Sequence, residues 1–360
     1  MHPDTAKPFQ RPTDGWLTLG IETSCDETAV SVVKDGRTVL SNVVASQIPS
    51  HQVFGGVVPE VASRQHVETI TQVIDQAMLD AGCSIVQLNH VAVTYGPGLV
   101  GALLVGVAAG KALAYGRQIP LNGVNHIEGH LCANFIQSPD LEPPFLALIV
   151  SGGHTHLVYM RGYGDYHVLG KTRDDAAGEA FDKIARVLEM GYPGGPLIDA
   201  AAAEGNPEAV AFPRAALEEN SWDFSFSGLK SAVLNYVNTE KRKGKPLHIP
   251  DVAASFQQAV VDVLVDKTLD CAQAKGIKKI ALSGGVAANR QLRMAMEMAC
   301  RKSGKQFYAP DAVLCTDNGA MIACAGYYDY CLGVQSGWNL NAVANLPIGQ
   351  RNAQWFYHRD

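Results

Sequence analysis

Asn125-His126-Ile127-Glu128-Gly129-His130 places two imidazoles four residues apart. On a helix they share one face, a turn apart, where both can reach one metal ion. Capping or surface histidines produce the same spacing, so the pair gains weight only from its company. Two other stretches supply it. Val150-Ser151-Gly152-Gly153-His154-Thr155 and Leu282-Ser283-Gly284-Gly285-Val286-Ala287-Ala288-Asn289 each end an apolar run in a Gly-Gly turn. Such a turn lets backbone N–H groups approach phosphate or a nucleoside. Two of them beside a His pair suggest a nucleotide site with a metal nearby.

The elements that must position these residues follow from patterning. Residues 16–33 read as a β-hairpin whose polar turn is Ser24-Cys25-Asp26-Glu27, with a third strand at 38–45. Strands are expected at 90–94, 145–151, 156–160, 166–170 and 278–283. Helices are expected at 58–81, 99–115, 176–189, 197–204, 252–275 and 289–303, with a last one ending near 332. Gly101, Gly106 and Gly110 suggest that the 99–115 helix packs closely on a sheet, and its apolar run of 99–110 is too short to span a bilayer. Strand, polar turn, strand, turn, strand occurs near residue 16 and again near 145. This is a repeat of architecture, and it predicts a duplicated α/β domain with a ligand cleft between the halves. His154 and His156 alternate on a strand and read as structural, and Met294, Met296 and Met298 read as packing residues.

Composition narrows the class. At 47% hydrophobic and 18% charged, the chain fits a compact α/β protein. A net charge of −6 argues against a globally basic nucleic-acid module. The dense exception is Lys241-Arg242-Lys243-Gly244-Lys245, expected in a loop, where it is either solvated or meets a polyanion. The eight cysteines form no Cys-x-x-Cys pair and lie mostly in apolar runs, which predicts reduced thiols and a cytoplasmic location. Residues 1–15 are polar and proline-containing, unlike a signal peptide.

Taken together, the motifs resemble the bacterial TsaD family of tRNA N6-adenosine threonylcarbamoyltransferases. They are Gly20-Ile21-Glu22-Thr23-Ser24-Cys25-Asp26-Glu27-Thr28, Gly56-Val57-Val58-Pro59-Glu60-Val61-Ala62-Ser63-Arg64, the His126 to His130 segment and the Gly152-Gly153 turn. Further ones are Arg173-Asp174-Asp175-Ala176-Ala177-Gly178-Glu179-Ala180-Phe181-Asp182-Lys183, the Tyr192 to Pro196 loop, Phe224-Ser225-Phe226-Ser227-Gly228-Leu229-Lys230, Ser283 to Asn289, and Thr316-Asp317-Asn318-Gly319. The resemblance covers residues 15–345. It implies a duplicated actin, sugar kinase and heat-shock ATPase (ASKHA) fold, with two α/β subdomains around a nucleotide cleft. The expected division is a flexible lead-in at 1–15, an N-terminal subdomain at 16–141 completed by a helix at about 316–345, a C-terminal subdomain at 142–315 and an extension at 346–360.

The implied reaction moves threonylcarbamoyl from threonylcarbamoyl-AMP to N6 of adenosine 37, just 3′ of the anticodon, in tRNAs reading codons that start with A. AMP is released. The resemblance implies one divalent ion, Fe2+ or Zn2+, held by His126, His130 and Asp317. The adenine nucleotide, as threonylcarbamoyl-AMP, AMP or an ATP analogue, falls to Ile149, Val150, Ser151, Gly152, Gly153, Asp182, Gly195, Asp199 and Asn289. Residue chemistry agrees: Asp182 and Asp199 can accept from ribose hydroxyls, and Asn289 both donates and accepts. Asp26 matches a catalytic or metal-proximal acid. Implied partners are tRNA, a TsaB paralogue docking near helix 58–81 to form a heterodimer, a TsaE ATPase, and a TsaC-type enzyme that supplies the adenylate. No membrane is involved.

Three competing readings remain at this point. One is an ATPase or kinase of the same superfold, which would hold Mg2+ through oxygen ligands instead. Another is a non-catalytic scaffold of a tRNA-modification complex. The third, a metallopeptidase, needs His-Glu-x-x-His; here Glu128 is two residues past His126 and is expected to point away from the ion.

Overall fold

The computed structural model describes residues 9–214, 221–244, 246–350 and 355–357. It opens with β1 (Leu17–Glu22), β2 (Glu27–Lys34), β3 (Thr38–Ser46), α1 (Ile48–Gln52), α2 (Pro59–Asp80), β4 (His90–Gly96), α3 (Val100–Arg117), β5 (Leu121–Asn125) and α4 (His126–Gln137). There follow β6 (Phe145–Val150), β7 (Thr155–Gly162), β8 (Asp165–Lys171), α5 (Ala177–Val187), α6 (Gly194–Ala202), α7 (Ser227–Arg242) and α8 (Ile249–Ala274). The chain closes with β9 (Lys279–Ser283), α9 (Arg290–Lys302), β10 (Gln306–Tyr308), α10 (Ala312–Cys315), α11 (Gly319–Cys331), β11 (Val334–Ser336) and β12 (Trp355–Tyr357).

These elements form two compact units. The first gathers described residues from Met1–Pro143, Met160–Tyr166 and Thr316–Asp360; the second comprises Pro144–Tyr159 and His167–Cys315. The first is built on the sheet β3-β2-β1-β4-β5, antiparallel from β3 to β1 and parallel from β1 to β5. The second is built on β10-β9-β6-β7-β8, with β6, β9 and β10 parallel. The architecture repeat read from the chain is thus a pair of five-stranded α/β sheets.

Burial explains each local choice. In β1 every residue after Leu17 is buried, as expected of a strand covered on both faces. In α9, Leu292, Met296 and Cys300 recur every four residues and form its inner face. Met294 and Met298 lie on the outer face at 61% and 56% exposure, so only Met296 packs as expected. In α3, Gly106 sits against Thr23 and Gly110 against Val93, while Leu104 and Tyr115 are exposed. By length and composition α3 is the one helix among the described residues that matches a membrane span.

Two elements differ from expectation. Ser227–Arg242 is a helix, so Lys241 and Arg242 occupy its last turn and favour its C-terminal dipole rather than a loop. Lys241 pairs with Glu189 at 2.9 Å and Lys243 with Glu240 at 2.7 Å, which offsets much of the cluster's charge; Lys245 lies outside the described residues. At the N-terminus, Phe9 stacks on Tyr163 with centroids 4.9 Å apart and the Gln10 N–H donates to the Cys331 carbonyl. The described part of the lead-in is therefore docked. Six cysteines are buried, Cys25 and Cys83 are half-buried, and all eight are free thiols.

The tightest packing in the first unit lies where α11 crosses β1 and β2. A Cβ on Gly20 would stand 2.1 Å from the Gly319 carbonyl oxygen, and one on Gly319 would stand 2.5 Å from the Ser31 nitrogen. Both obstacles are backbone and cannot rotate away. Gly319→Ala is expected to lower stability by at least about 2 kcal/mol in urea denaturation, with Gly20→Ala at least as damaging. Wild-type midpoints would contradict this packing.

Candidate functional site

The first candidate site grows from a buried carboxylate. Glu22, last residue of β1, has no exposed surface. Its Oε1 accepts the Ser24 N–H at 2.5 Å and its Oε2 accepts the Thr94 hydroxyl from neighbouring β4 at 2.6 Å. The same Oε2 lies 3.0 Å from His126 Nδ1. His126 starts α4 immediately after β5, and Asn125 caps that helix by accepting the Ile127 N–H. One turn on, the His130 ring stands 4.6 Å from the His126 ring at 80°. Asp317 arrives from the far end of the chain, just before α11, whose cap Asn318 accepts the Met321 N–H. Its Oδ1 lies 3.1 Å from His130 Nε2 and 3.6 Å from His126 Nε2.

One ligand atom from each of His126, His130 and Asp317 lies within 4.8 Å of the others. The donor set fits a divalent ion on two counts. Neither His130 nitrogen has a hydrogen bond of sound geometry, although both are buried. His126 directs Nδ1 at Glu22, which leaves Nε2 as the ligating atom in the carboxylate–histidine–metal arrangement. Two imidazoles and a carboxylate suit zinc or non-haem iron and leave coordination positions open. Burial opposes charge on His126, but Asp317 and Glu22 outweigh it and lift its pKa to about 9. Burial would raise Glu22, yet His126 holds it below the usual carboxylate range. A bound cation would take the place of the His126 proton.

Asp26 is in the β1–β2 turn and is 7% exposed. The turn is pinned from outside. His66 of α2 donates Nε2–H to the Cys25 carbonyl at 3.0 Å, and the Gln47 N–H donates to the Asp26 carbonyl at 3.0 Å. Burial, with Asp317 and Asp26 adding to it, lifts Glu27 to about 10, so Glu27 is neutral and hydrogen-bonds Asp26. Glu128 takes no part: buried, it accepts the Gly349 N–H at 2.9 Å. The peptidase arrangement is absent.

The second candidate site lies in the second unit. Ile149 pairs with Ser283 across parallel β6 and β9, so the two Gly-Gly turns leave the sheet side by side. A Cβ on Gly284 would stand 2.4 Å from the Val150 carbonyl oxygen. Gly152, Gly153 and Gly195 have nothing within 4 Å of a built Cβ, so open space faces them. Ile149 and Val150 are fully buried, and Ser151 nearly so; their side chains belong to the core. Asp182 Oδ1 accepts the Gly194 N–H at 2.7 Å, at the start of α6. Asp199, further along α6, accepts from Asn289 Nδ2 at 3.3 Å and from Arg290 Nε at 2.9 Å. The structure thus brings Asp199 and Asn289 together, while Asp182, on α5, holds the opposite, N-terminal end of α6. His154 and His156 have rings 5.6 Å apart; burial, with Lys171, lowers His156 to about 4.

Sequence reasoning did not single out Glu22, His66 or Gln257. For Glu22 and Gln257 the available signal was a polar residue in an otherwise apolar stretch, because such a residue, once buried, must have partners; His66, in the mixed sequence of α2, had no such signal.

The fold and site define a duplicated α/β protein with a two-histidine, one-carboxylate centre. Similar folds occur in full-length HypF in its phosphate- and nucleotide-bound form (TM-score 0.57, 13% identity, 90% of this chain and 47% of that one) and in T. kodakarensis HypF (0.59, 15%, 91% and 49%). This chain spans about half the length of either, and at such identity the likeness is one of fold, the ASKHA fold. Residues 38–324 match the family model described as TsaD, tRNA N6-adenosine threonylcarbamoyltransferase. Relatives of that name include one from Clostridioides difficile (strain 630), 59% identical over 93% of this chain and 99% of its own length. Another, from Desulfitobacterium hafniense (strain Y51), is 58% identical over 92% and 97%. The chain belongs to the tRNA N6-adenosine threonylcarbamoyltransferase family.

The centre predicts one ion per chain. His130→Ala and Asp317→Asn should each lose it by elemental analysis while keeping a cooperative unfolding transition. Full metal content in both variants would refute the ligand set.

Proposed function

We infer that this chain transfers the threonylcarbamoyl group from threonylcarbamoyl-AMP to N6 of adenosine 37 in tRNAs reading codons that start with A. Membership of the threonylcarbamoyltransferase family over nearly the whole chain carries this reading. In the reaction the adenosine N6 attacks the carbamoyl carbonyl, the bond from that carbon to the phosphate oxygen breaks, and AMP leaves with the electron pair. The attacking nitrogen must lose a proton.

His126, His130 and Asp317 are proposed to hold the ion, which as Fe2+ or Zn2+ would supply a Lewis acid beside the reacting carbonyl. Glu22 is proposed to keep His126 oriented. Asp26 is proposed as the proton acceptor for N6, with neutral Glu27 donating to it. Ile149 to Gly153, Asp182, Gly195, Asp199 and Asn289 are proposed to hold the adenylate: the open Gly152-Gly153 turn through its backbone, the carboxylates through ribose hydroxyls.

The proposed partners are a TsaB paralogue, a TsaE ATPase and a TsaC-type enzyme supplying the adenylate. Two features support them. The chain carries net −6 against a polyanionic substrate, and two of the four cations in its densest basic run, Lys241 and Lys243, are ion-paired. The outer face of α2, where the TsaB paralogue is proposed to dock, leaves Val67 and Leu79 more than half exposed.

Reconstitution with purified threonylcarbamoyl-AMP and tRNA, followed by nucleoside analysis, tests the reading. Modified adenosine should form in multiple turnovers with the partners and far more slowly without them. No product with the complete set would overturn the function, and equal rates would overturn the partner requirement. Asp26→Asn should lower the rate by about 10²-fold or more with metal content unchanged.

A further inference from the structure

Gln257 of α8 is 2% exposed, and its amide is fully engaged. Its Oε1 accepts from Asn289 Nδ2 at 2.7 Å. Its Nε2 donates to Asp199 Oδ1 at 3.2 Å and to Gln291 Oε1 at 2.8 Å. The series runs further, from Gln291 Nε2 to Gln258 Oε1, from Gln258 Nε2 to Asp262 Oδ1, and from Arg214 to Asp262 Oδ2.

The ends fix the direction of every bond in between. At one end the Leu292 backbone N–H, which can only donate, holds Asn289 Oδ1 at 2.9 Å. That turns the Asn289 NH2 toward α8. At the other end Asp199 and Asp262, as carboxylates, only accept. Reversing the Gln257 amide would set NH2 against NH2 at Asn289 and oxygen against oxygen at Asp199. One polarity alone satisfies the buried groups. Asp199 also accepts from Asn289 Nδ2 at 3.3 Å, and its other two partners differ in a further way. Gln257 holds Oδ1 from inside, whereas Arg290 holds Oδ2 with a side chain that is 64% exposed. A ligand hydroxyl reaching Asp199 would displace Arg290 and leave Gln257 in place.

We propose that Gln257 is a positioning residue of the adenylate site: its buried amide presets Asp199 and Asn289 for the nucleotide, while Arg290 is the partner that yields. The proposal rests on the adenylate reading of Asp199 and Asn289. The order of residues 252–275 offers Gln257 and Gln258 alike as polar residues in an apolar stretch; the structure distinguishes Gln257 through the groups it joins.

The near-isosteric Gln257→Glu variant tests it. A glutamate still accepts from Asn289 but sets an anion against Asp199 and the Gln291 carbonyl oxygen. The charged groups it would meet are Asp199 from α6 and Arg290 from α9, with Asp262 and Arg214 at the end of the series. Burial and Asp199 would both raise the introduced carboxyl, so acid restores a proton that can donate to Asp199 as the native amide does. AMP binding to the full-length chain is measured by calorimetry at about pH 8 and about pH 5.5, with wild type at both, and an affinity loss of roughly tenfold or more is expected at the higher pH only. Metal content and the unfolding transition, followed in parallel, verify that the variant is folded. Wild-type affinity in Gln257→Glu at both pH values overturns the proposal. So does an equal loss at both pH values in a folded protein, because that marks a merely structural residue. Asn289→Ala and Asp199→Ala separate the two levels. If they too bind AMP normally, the adenylate reading has failed; if they lose AMP while Gln257→Glu does not, only the role of Gln257 has.

Discussion

A carboxylate with no exposed surface has to be paired, and the first unit is arranged so that Glu22 is. Removing it from water costs several kcal/mol, recovered only through good geometry on both oxygens. Ser24 N–H, Thr94 hydroxyl and His126 Nδ1 supply that geometry from the turn, from β4 and from the start of α4. These three contacts tie together the strand register, the turn bearing Asp26 and the helix bearing both histidines. Losing Glu22 would leave His126 Nδ1 with the Ser24 hydroxyl at 3.1 Å and no charged partner, which is why a carboxylate outside the ligand set helps to orient it. Asp317 completes the centre only because α11 approaches β1 closely, and that approach needs glycine at 20 and 319.

Much of this was legible in the chain. Alternation and turn chemistry located most strands of both sheets but not β10, and the His-x-x-x-His spacing pointed to two residues of a group that could hold an ion. Asp317 was reachable only through the resemblance, because 187 residues separate it from His130 and no local pattern joins them. The helix Ser227–Arg242 was missed for a physical reason. It begins with Ser-Gly, a weak helix signal, its Lys-Arg-Lys end reads equally as a solvated basic run, and its start is held by tertiary contacts. Its N-terminus is anchored by Asp174, which accepts from Phe226 N and from the hydroxyls of Ser225 and Ser227. Exposure of Met294 and Met298 was hidden for a related reason: alternate residues on a helix cannot share one face, and only Met296 keeps register with Leu292 and Cys300.

The two candidate sites solve one problem in different ways. Each must fix the direction of polar side chains without water to help. In the metal centre a charge sets the order: Glu22 accepts, so His126 Nδ1 donates and Nε2 faces outward. In the proposed adenylate site the Asn289 oxygen meets no charge, and the Leu292 backbone N–H fixes it instead. Fixed donors or acceptors at the ends of a series determine the orientation of the amides and imidazoles between them.

That reasoning accounts for where helix caps fall. For α4, α9 and α11 the residue at the N-cap position accepts a backbone N–H through its side chain, and in each case it is asparagine. No such bond is made by the cap residue of α1, α2, α3, α5, α6, α7 or α8. A cap of this kind is worth about 1 kcal/mol, and long helices packed on a sheet fold without one. The three that have it stand beside candidate site residues: Asn125 precedes His126, Asn318 follows Asp317, and Asn289 is itself a candidate. Fraying of a first turn by one residue would move an imidazole or a carboxylate by several ångström, which a helix that only fills a core tolerates and a metal or nucleotide site does not. The asparagine caps therefore serve position more than stability.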